Sequence, residues 1–394
     1  MRLASEAYDR SQLKAAWWAV NFAFILNGFM WSTLVVRLPE FRDRLSVSNG
    51  QLGTLLVFGA LGILMALRFA AKWCLKFGTR RVVAFVGAGI AVPLIGISHA
   101  SNNFAFASLL FILGFFAATH DVAMNNQGAH LEHLTKSSLM NSFHGMFSVG
   151  ALLGGGYGAL CAKFDVSIQT QVIPIALLAI GLAPIMLKLL LPEEEKFEPQ
   201  SEKPKVRNAI RAFLVLGLIG LAAAITEGAA SDWGAITMRD NFEVSSAFAA
   251  LPYLFFEIFM VIGRFSGDQL TERLNRITVL KFGGLISGLG LLVGLLINQP
   301  WSIIFGWAIL GAGISVAIPS MFSAAAESAR TTKSGDITPA HAVAAVGGIS
   351  YVGFLVGPPV IGWLATGFGL TKALYLLVAC CFLMFILASI SNPK

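Results

Sequence analysis

Three carboxylates interrupt long apolar runs of this chain: Asp121, Glu227 and Glu257. An ionisable side chain at the centre of a membrane helix costs roughly 2.5–3.5 kcal/mol on insertion scales, so such groups face a cavity, a partner or a moving proton. Asp121 and Asn125 are four positions apart and share one helix face. A buried imidazole beside a carboxylate can hold or pass a proton near neutral pH, and His144, in the next apolar run, is the candidate. Asp121, His144, Glu227 and Glu257 are therefore the expected proton-coupling set. The structural alternatives stay open: an interhelical hydrogen bond at Asp121, a carbonyl partner for His144, and a packed carboxyl at Glu257. Neutral groups surround these positions. Asn27, Asn125 and Gln127 offer donors and acceptors without charge, and Trp31 and Trp233 offer flat amphipathic faces. Together they suit a small neutral, hydroxyl-rich solute better than a long apolar drug. Placement at the bilayer interface is the competing reading of both tryptophans.

Other chemistries lack their residues. His130 and His133 have no third ligand beside them, and Cys74, Cys161, Cys380 and Cys381 sit in or beside apolar runs without metal-site spacing. No glycine-rich phosphate loop runs into Lys-Ser or Lys-Thr, so no direct use of ATP is expected. No nucleophile, base and orienting group cluster in a soluble segment. The chain reads as a non-enzyme without cofactor or metal.

The elements that must position these groups follow from composition. Of 394 residues, 56% are apolar and 12% charged, against about 25% charged in soluble domains. Apolar runs fall near 14–36, 50–72, 82–99, 103–131, 138–162 and 168–191, then near 209–231, 245–267, 277–297, 301–328, 340–365 and 371–391. Each is long enough for a membrane helix of about 20 residues. The pattern predicts an all-α membrane protein of twelve transmembrane helices: a six-helix bundle over 1–191, a charged, proline-punctuated cytoplasmic linker over 192–208, and a second six-helix bundle over 209–394. With both termini cytoplasmic, 22 of the 28 lysines and arginines fall on the inner side or at adjoining helix ends, and six fall outside. That bias sets orientation, and the net charge of +7 is the excess of 28 basic over 21 acidic residues. No basic stripe is interleaved with aromatics, so nucleic acid is not an expected partner. The amino terminus lacks a small-residue cleavage signature, and the first span is read as retained.

The two halves resemble each other. Gly145, Val149, Gly150 and Gly154 of span five match Gly348, Val352, Gly353 and Gly357 of span eleven at an offset of 203, and Ile112-Leu113-Gly114 matches Ile309-Leu310-Gly311 at 197. Asn27-Gly28, followed by Trp31 and Arg37, parallels Glu227-Gly228, followed by Trp233 and Arg239. Repeated six-span halves with a site between them are how many secondary transporters are built.

Over essentially its whole length the chain resembles the major facilitator superfamily, and within it the branch typified by the membrane proteins MosC and YbjJ. The likeness is carried by Asp121-Val122-Ala123-Met124-Asn125-Asn126-Gln127-Gly128, Phe143-His144-Gly145-Met146-Phe147-Ser148-Val149-Gly150, Glu227-Gly228-Ala229-Ala230-Ser231-Asp232-Trp233 and Val356-Gly357-Pro358-Pro359-Val360-Ile361-Gly362. The resemblance implies the major facilitator fold of two pseudo-symmetric bundles. It also implies alternating access and a sugar-like or inositol-like cargo. The chain departs from the family's gating motif between spans two and three: Leu75 stands at the aspartate position and Ala71 at the first glycine, while Gly78, Arg80 and Arg81 remain. The second-half counterpart keeps Glu272-Arg273, with Asn275 in place of its glycine.

Small residues read mechanically. Gly150, Gly154 and Gly158 recur every four residues, with Gly155 and Gly156 broadening a face for close helix approach. Gly357-Pro358-Pro359 removes backbone donors from span eleven and is expected to bend it. The expected protein is a monomeric, multi-pass, proton-coupled carrier of a small polar solute in the bacterial inner membrane. Proton-driven efflux of metabolites or drugs, or a solute-binding membrane receptor, are the competing functions.

Overall fold

The computed structural model describes residues 8–137, 139–192, 206–331 and 339–390. The linker expected over 192–208 lies, apart from its ends, outside the described residues. Among those residues twelve helices are long and apolar enough to cross a membrane. Spans one to six are Arg10–Val35, Asn49–Phe77, Thr79–His99, Asn103–Thr135, Ser142–Lys163 and Ile168–Leu189. Spans seven to twelve are Phe213–Asn241, Ser246–Gly267, Arg276–Ile297, Pro300–Ala329, Ala345–Phe368 and Leu370–Ser389. One short amphipathic helix, Leu38–Leu45, joins the first two spans. Large apolar side chains such as Phe85, Val92, Phe104, Leu177, Leu296 and Trp363 are exposed on the helix surfaces. In water such patches would mark interfaces or aggregation, whereas lipid solvates them at no such penalty.

Caps in the sequence set where helices begin. Asp9 accepts from the Gln12 N–H at 2.8 Å while the Gln12 side chain accepts from the Asp9 N–H at 2.9 Å, closing a capping box at the head of span one. The Ser11 hydroxyl and then the Gln12 N–H hold the exposed Asp9 carboxyl below the usual carboxylate range. Asn102 and Ser167 cap spans four and six by accepting from the Ala105 and Thr170 N–H groups, without a reciprocal bond to their own N–H. Span five is started from outside its own sequence: Glu132, near the end of span four, accepts from the Leu139 N–H at 2.7 Å.

The chain divides into two compact units, Met1–Ser46 with Leu55–Phe197, and Val47–Thr54 with Glu198–Lys394. The second unit thus takes in the first residues of span two, where the Gly50 N–H donates to Thr366 Oγ1 at 3.1 Å. In the first unit, spans one and five meet backbone to backbone. A Cβ on Gly150 would lie 2.1 Å from the Ile25 carbonyl oxygen, one on Gly154 2.3 Å from that of Phe29, and one on Gly28 2.2 Å from that of Phe147. Gly158 is equally committed, 2.8 Å from the Thr33 oxygen. Gly156 points elsewhere, with nothing within 4 Å, so it does not broaden this face. In the second unit the equivalent glycine, Gly353, presses on the Leu221 carbonyl of span seven. Gly114 lies against the carbonyl of Gly59, and Gly311 against that of Phe256, each pair shifted by the same 197 positions.

The contacts also correct one sequence match. If Gly150 and Gly154 are superposed on Gly353 and Gly357, their partners Ile25 and Phe29 fall on Leu221 and Ile225, an offset of 196. The motif match of Asn27-Gly28 to Glu227-Gly228 is therefore one helical turn out of packing register. By level, Glu227 stands where the first half has Trp31.

The turns after spans two and eight show the same repeat. Gly78 has φ 83°, ψ 140° and Asn275 φ 64°, ψ 157°, again 197 apart. Side chains rarely tolerate this region, and holding one there costs about 1–3 kcal/mol. Asn275 recovers part of that by accepting from the Thr278 N–H at 2.9 Å. Replacing an Asn cap by Gly costs only a few tenths of a kcal/mol. Asn275→Gly is thus expected to stabilise the protein by about 1 kcal/mol, and Gly78→Ala to destabilise it by about as much or more. Thermal unfolding in detergent checks both, and a destabilising Asn275→Gly would show that the cap outweighs the strain.

Candidate functional site

The polar groups of the first unit lie on spans one, four and five. Asn27 is buried, and its amide nitrogen donates to the Ala117 carbonyl at 3.2 Å and meets His120 Nδ1 at 2.9 Å. Asp121 and Asn125 share a half-buried face of span four, as their spacing predicted. The Asn125 amide donates to the Asp121 backbone carbonyl at 2.9 Å and to its carboxylate at 3.1 Å. His144 is exposed, and its ring stands edge-on to Phe24 with centroids 5.3 Å apart. Trp31 is half-buried beside Gly59.

Gln127 faces the other way. Its Nε2 donates to Thr79 Oγ1 at 2.7 Å and to the Leu191 carbonyl at 2.9 Å, tying span four to the head of span three and the chain just past span six. The residue is fully buried with both amide hydrogens used, which corrects its expected place facing a solute. Three positions from Met124 and four from Ala123 on the buried stripe, Gln127 follows the helical period into the core and not towards Asn125.

In the second unit the charges cluster. Arg264 Nη2 donates to Glu227 Oε1 at 3.0 Å across spans seven and eight. Glu257, only 8% exposed, lies two turns before Arg264 on span eight, within electrostatic reach of both Arg264 and Glu227 and hydrogen-bonded to the side chain of Tyr253. The sequence counts Arg264 among the basic residues of the inner side and adjoining helix ends but does not name its partner. Arg264 sits inside span eight and serves as counter-ion to Glu227. Its spacing of seven from Glu257 places both on one helix face and was the available signal. Trp233 is fully buried, with Gly362 leaving room for its ring, so it offers no face to a solute.

A second buried network closes the outer-predicted end of the first unit. Arg37 Nη1 donates to Gln171 Oε1 at 2.6 Å, and Gln171 Nε2 donates to the Thr33 carbonyl at 2.8 Å, with Glu40 completing the ion pair to Arg37. Of the expected gating groups, Gly78 makes its turn, Arg80 is half-buried, and Arg81, Glu272 and Arg273 are exposed. The helix runs unbroken from Pro339 to Phe368 through Gly357-Pro358-Pro359. Among the described residues no group of three metal-ligating side chains occurs.

Twelve apolar helices in two repeated units, with buried polar and ionic groups inside each, make this a multi-pass membrane protein. The chain belongs to the Major Facilitator Superfamily, whose profile matches residues 20–338 and 233–393. An uncharacterized MFS-type transporter of Yersinia pestis is 28% identical over 375 residues, 92% of this chain and 93% of that protein. The membrane protein MosC of Rhizobium meliloti is 27% identical over 367 residues, 92% of this chain and 86% of MosC. Among solved structures, the nucleoside transporter NupG superposes with a TM-score of 0.70 at 14% identity, over 96% of this chain and 100% of that one, a likeness of fold.

Proposed function

We propose that this transporter moves a small polar, hydroxyl-rich solute, sugar-like or inositol-like, by proton-coupled alternating access across the bacterial inner membrane, as a monomer with both termini cytoplasmic. The observation that carries the coupling is the Glu227–Arg264–Glu257 cluster. With both carboxylates ionised the three groups carry one net negative charge, and a single bound proton makes them neutral. Charge inside a membrane is costly, so a cluster one proton from neutrality is suited to take up and release that proton as its surroundings change. Asp121, with Asn125 as its hydrogen-bond donor, and His144 are the corresponding groups of the first bundle.

The solute reading rests on Asn27, Asn125 and Trp31, neutral groups whose hydrogen-bond capacity fits hydroxyls. Gln127 is left out of that set because its amide hydrogens are spent on Thr79 and the Leu191 carbonyl, and Trp233 because its ring is wholly enclosed. The carbohydrate-like cargo draws on the likeness to MosC. NupG carries nucleosides, which contain a sugar, so nucleosides belong among the compounds tested.

One proton crossing 100 mV supplies about 2.3 kcal/mol, and each pH unit adds about 1.4 kcal/mol, enough for roughly a fifty-fold gradient or more. The test is counterflow and net uptake in proteoliposomes with polyols, sugars, nucleosides and amino acids, with and without an imposed pH gradient. Accumulation of a polyol or sugar that rises with an inward proton gradient is expected. Uptake that ignores the gradient, or undiminished pH-driven uptake by Glu227→Gln and Asp121→Asn, overturns the coupling.

A further inference from the structure

Among the described residues of the first unit His120 is the imidazole that is fully buried, only 1% exposed, and its hydrogen-bond partner identifies its tautomer. Asn27 Nδ2 lies 3.2 Å from the Ala117 carbonyl oxygen, which can only accept, so the atom there is the amide nitrogen. The same nitrogen meets His120 Nδ1 at 2.9 Å, which makes Nδ1 the acceptor and leaves the ring proton on Nε2. The far edge of the ring is enclosed by apolar groups. The Nε2 edge rests on Gly87, where a Cβ would come within 3.0 Å of Nε2 and Cδ2. The ring also borders a cavity of about 10 Å³ whose other lining is apolar, with Ala23 from span one, Ala84 and Ala88 from span three, and Ala179 and Ala183 from span six. No charged side chain lines the space.

Both amide hydrogens of Asn27 are thereby engaged, one on a backbone carbonyl and one on the imidazole. Its Oδ1 takes no hydrogen bond from any described residue. We propose that His120 is a positioning residue: by accepting from Asn27 it locks the amide so that Oδ1 alone is offered, giving the solute site an acceptor that selects a hydrogen-bond donor such as a hydroxyl. The part concerning the solute rests on the reading of Asn27 given above; the lock itself does not. Without the imidazole the Asn27 amide loses the shorter of the two bonds that hold it, and only the Ala117 carbonyl, at 3.2 Å, still opposes its turning over to present a donor in place of an acceptor.

The test has two arms. In nanodiscs, ¹⁵N-histidine NMR of the intact protein against His120→Asn is expected to show a His120 signal pair of the Nε2–H tautomer. A protonated Nδ1 in the neutral ring overturns the lock whatever the protein transports. In proteoliposomes, labelled myo-inositol counterflow is expected to show a half-saturating concentration about tenfold higher for His120→Leu, the worth of roughly one hydrogen bond, with maximal rate nearly kept. His120→Asn, which retains an acceptor oxygen near the Nδ1 position, is expected to restore it. Equal half-saturation in His120→Leu and wild type overturns the positioning role. If the wild-type protein does not carry myo-inositol, the solute reading falls and the NMR arm alone decides the lock.

Discussion

Arg264→Met is expected to lower stability by about 2–4 kcal/mol and to abolish transport. Removing one partner of a buried ion pair leaves the other charge uncompensated, at a cost of roughly 3–5 kcal/mol when burial is complete. Arg264 and Glu227 are 16% and 24% exposed, so some of that cost is relieved by solvent. Two carboxylates, not one, lose their counter-ion, because Glu257 lies within reach of the same guanidinium. Adding Glu227→Gln to Arg264→Met is expected to recover more than half of the loss without restoring transport. Arg276 and Glu327 supply the contrast: their bond is shorter, 2.6 Å, but the side chains are 40% and 65% exposed. Surface pairs are worth about 0–1 kcal/mol, so Arg276→Met is expected to be nearly silent. Thermal unfolding followed by tryptophan fluorescence in detergent compares them, and equal losses from the two arginine variants would mean that burial is not what matters.

Gly150→Ala is the second large effect, and it comes from a single methyl group. The added carbon would sit 2.1 Å from the Ile25 carbonyl oxygen, a backbone atom that cannot swing aside like a side-chain tip. Span one must move bodily or span five must rotate, and overpacking of that kind costs about 1–3 kcal/mol, occasionally more. Gly154→Ala, 2.3 Å from the Phe29 oxygen, is expected to behave alike, and Gly150→Leu to prevent folding. Gly156→Ala on the same helix meets nothing within 4 Å. It gains about 0.8–1 kcal/mol of helix propensity instead. Opposite signs at positions six residues apart or closer separate helix contact from any general aversion of this span to side chains. The same unfolding measurement reads them, and a destabilising Gly156→Ala would undercut the contact argument.

Span number, order and the six-and-six division are legible in the sequence because membrane insertion demands long apolar runs whatever the tertiary detail. The Asp121–Asn125 pair was legible for a similar reason: both residues belong to one helix, and period 3.6 fixes their relation. What requires two helices was not. Nothing in the sequence states that Arg264 reaches Glu227 on another span, and an arginine near the end of an apolar run reads equally well as a topology signal. Gln127 and Asn125 are both amides in one motif, yet two residues of helix turn them to opposite sides. His120 stood unremarked beside Asp121 for the same reason: its partner is on span one.

The glycine–carbonyl pairs also say where the two halves differ in length. The shift between repeats is 196 at span one, 197 from span two through the Gly78 and Asn275 turns to span four, and 203 at span five. An insertion inside a helix would rotate every later side chain by about 100° per residue, so three consecutive spans have tolerated none. One residue of length difference falls between spans one and two, and six between spans four and five. The connections at those two places, and not the helices, are where this architecture absorbs a change in chain length.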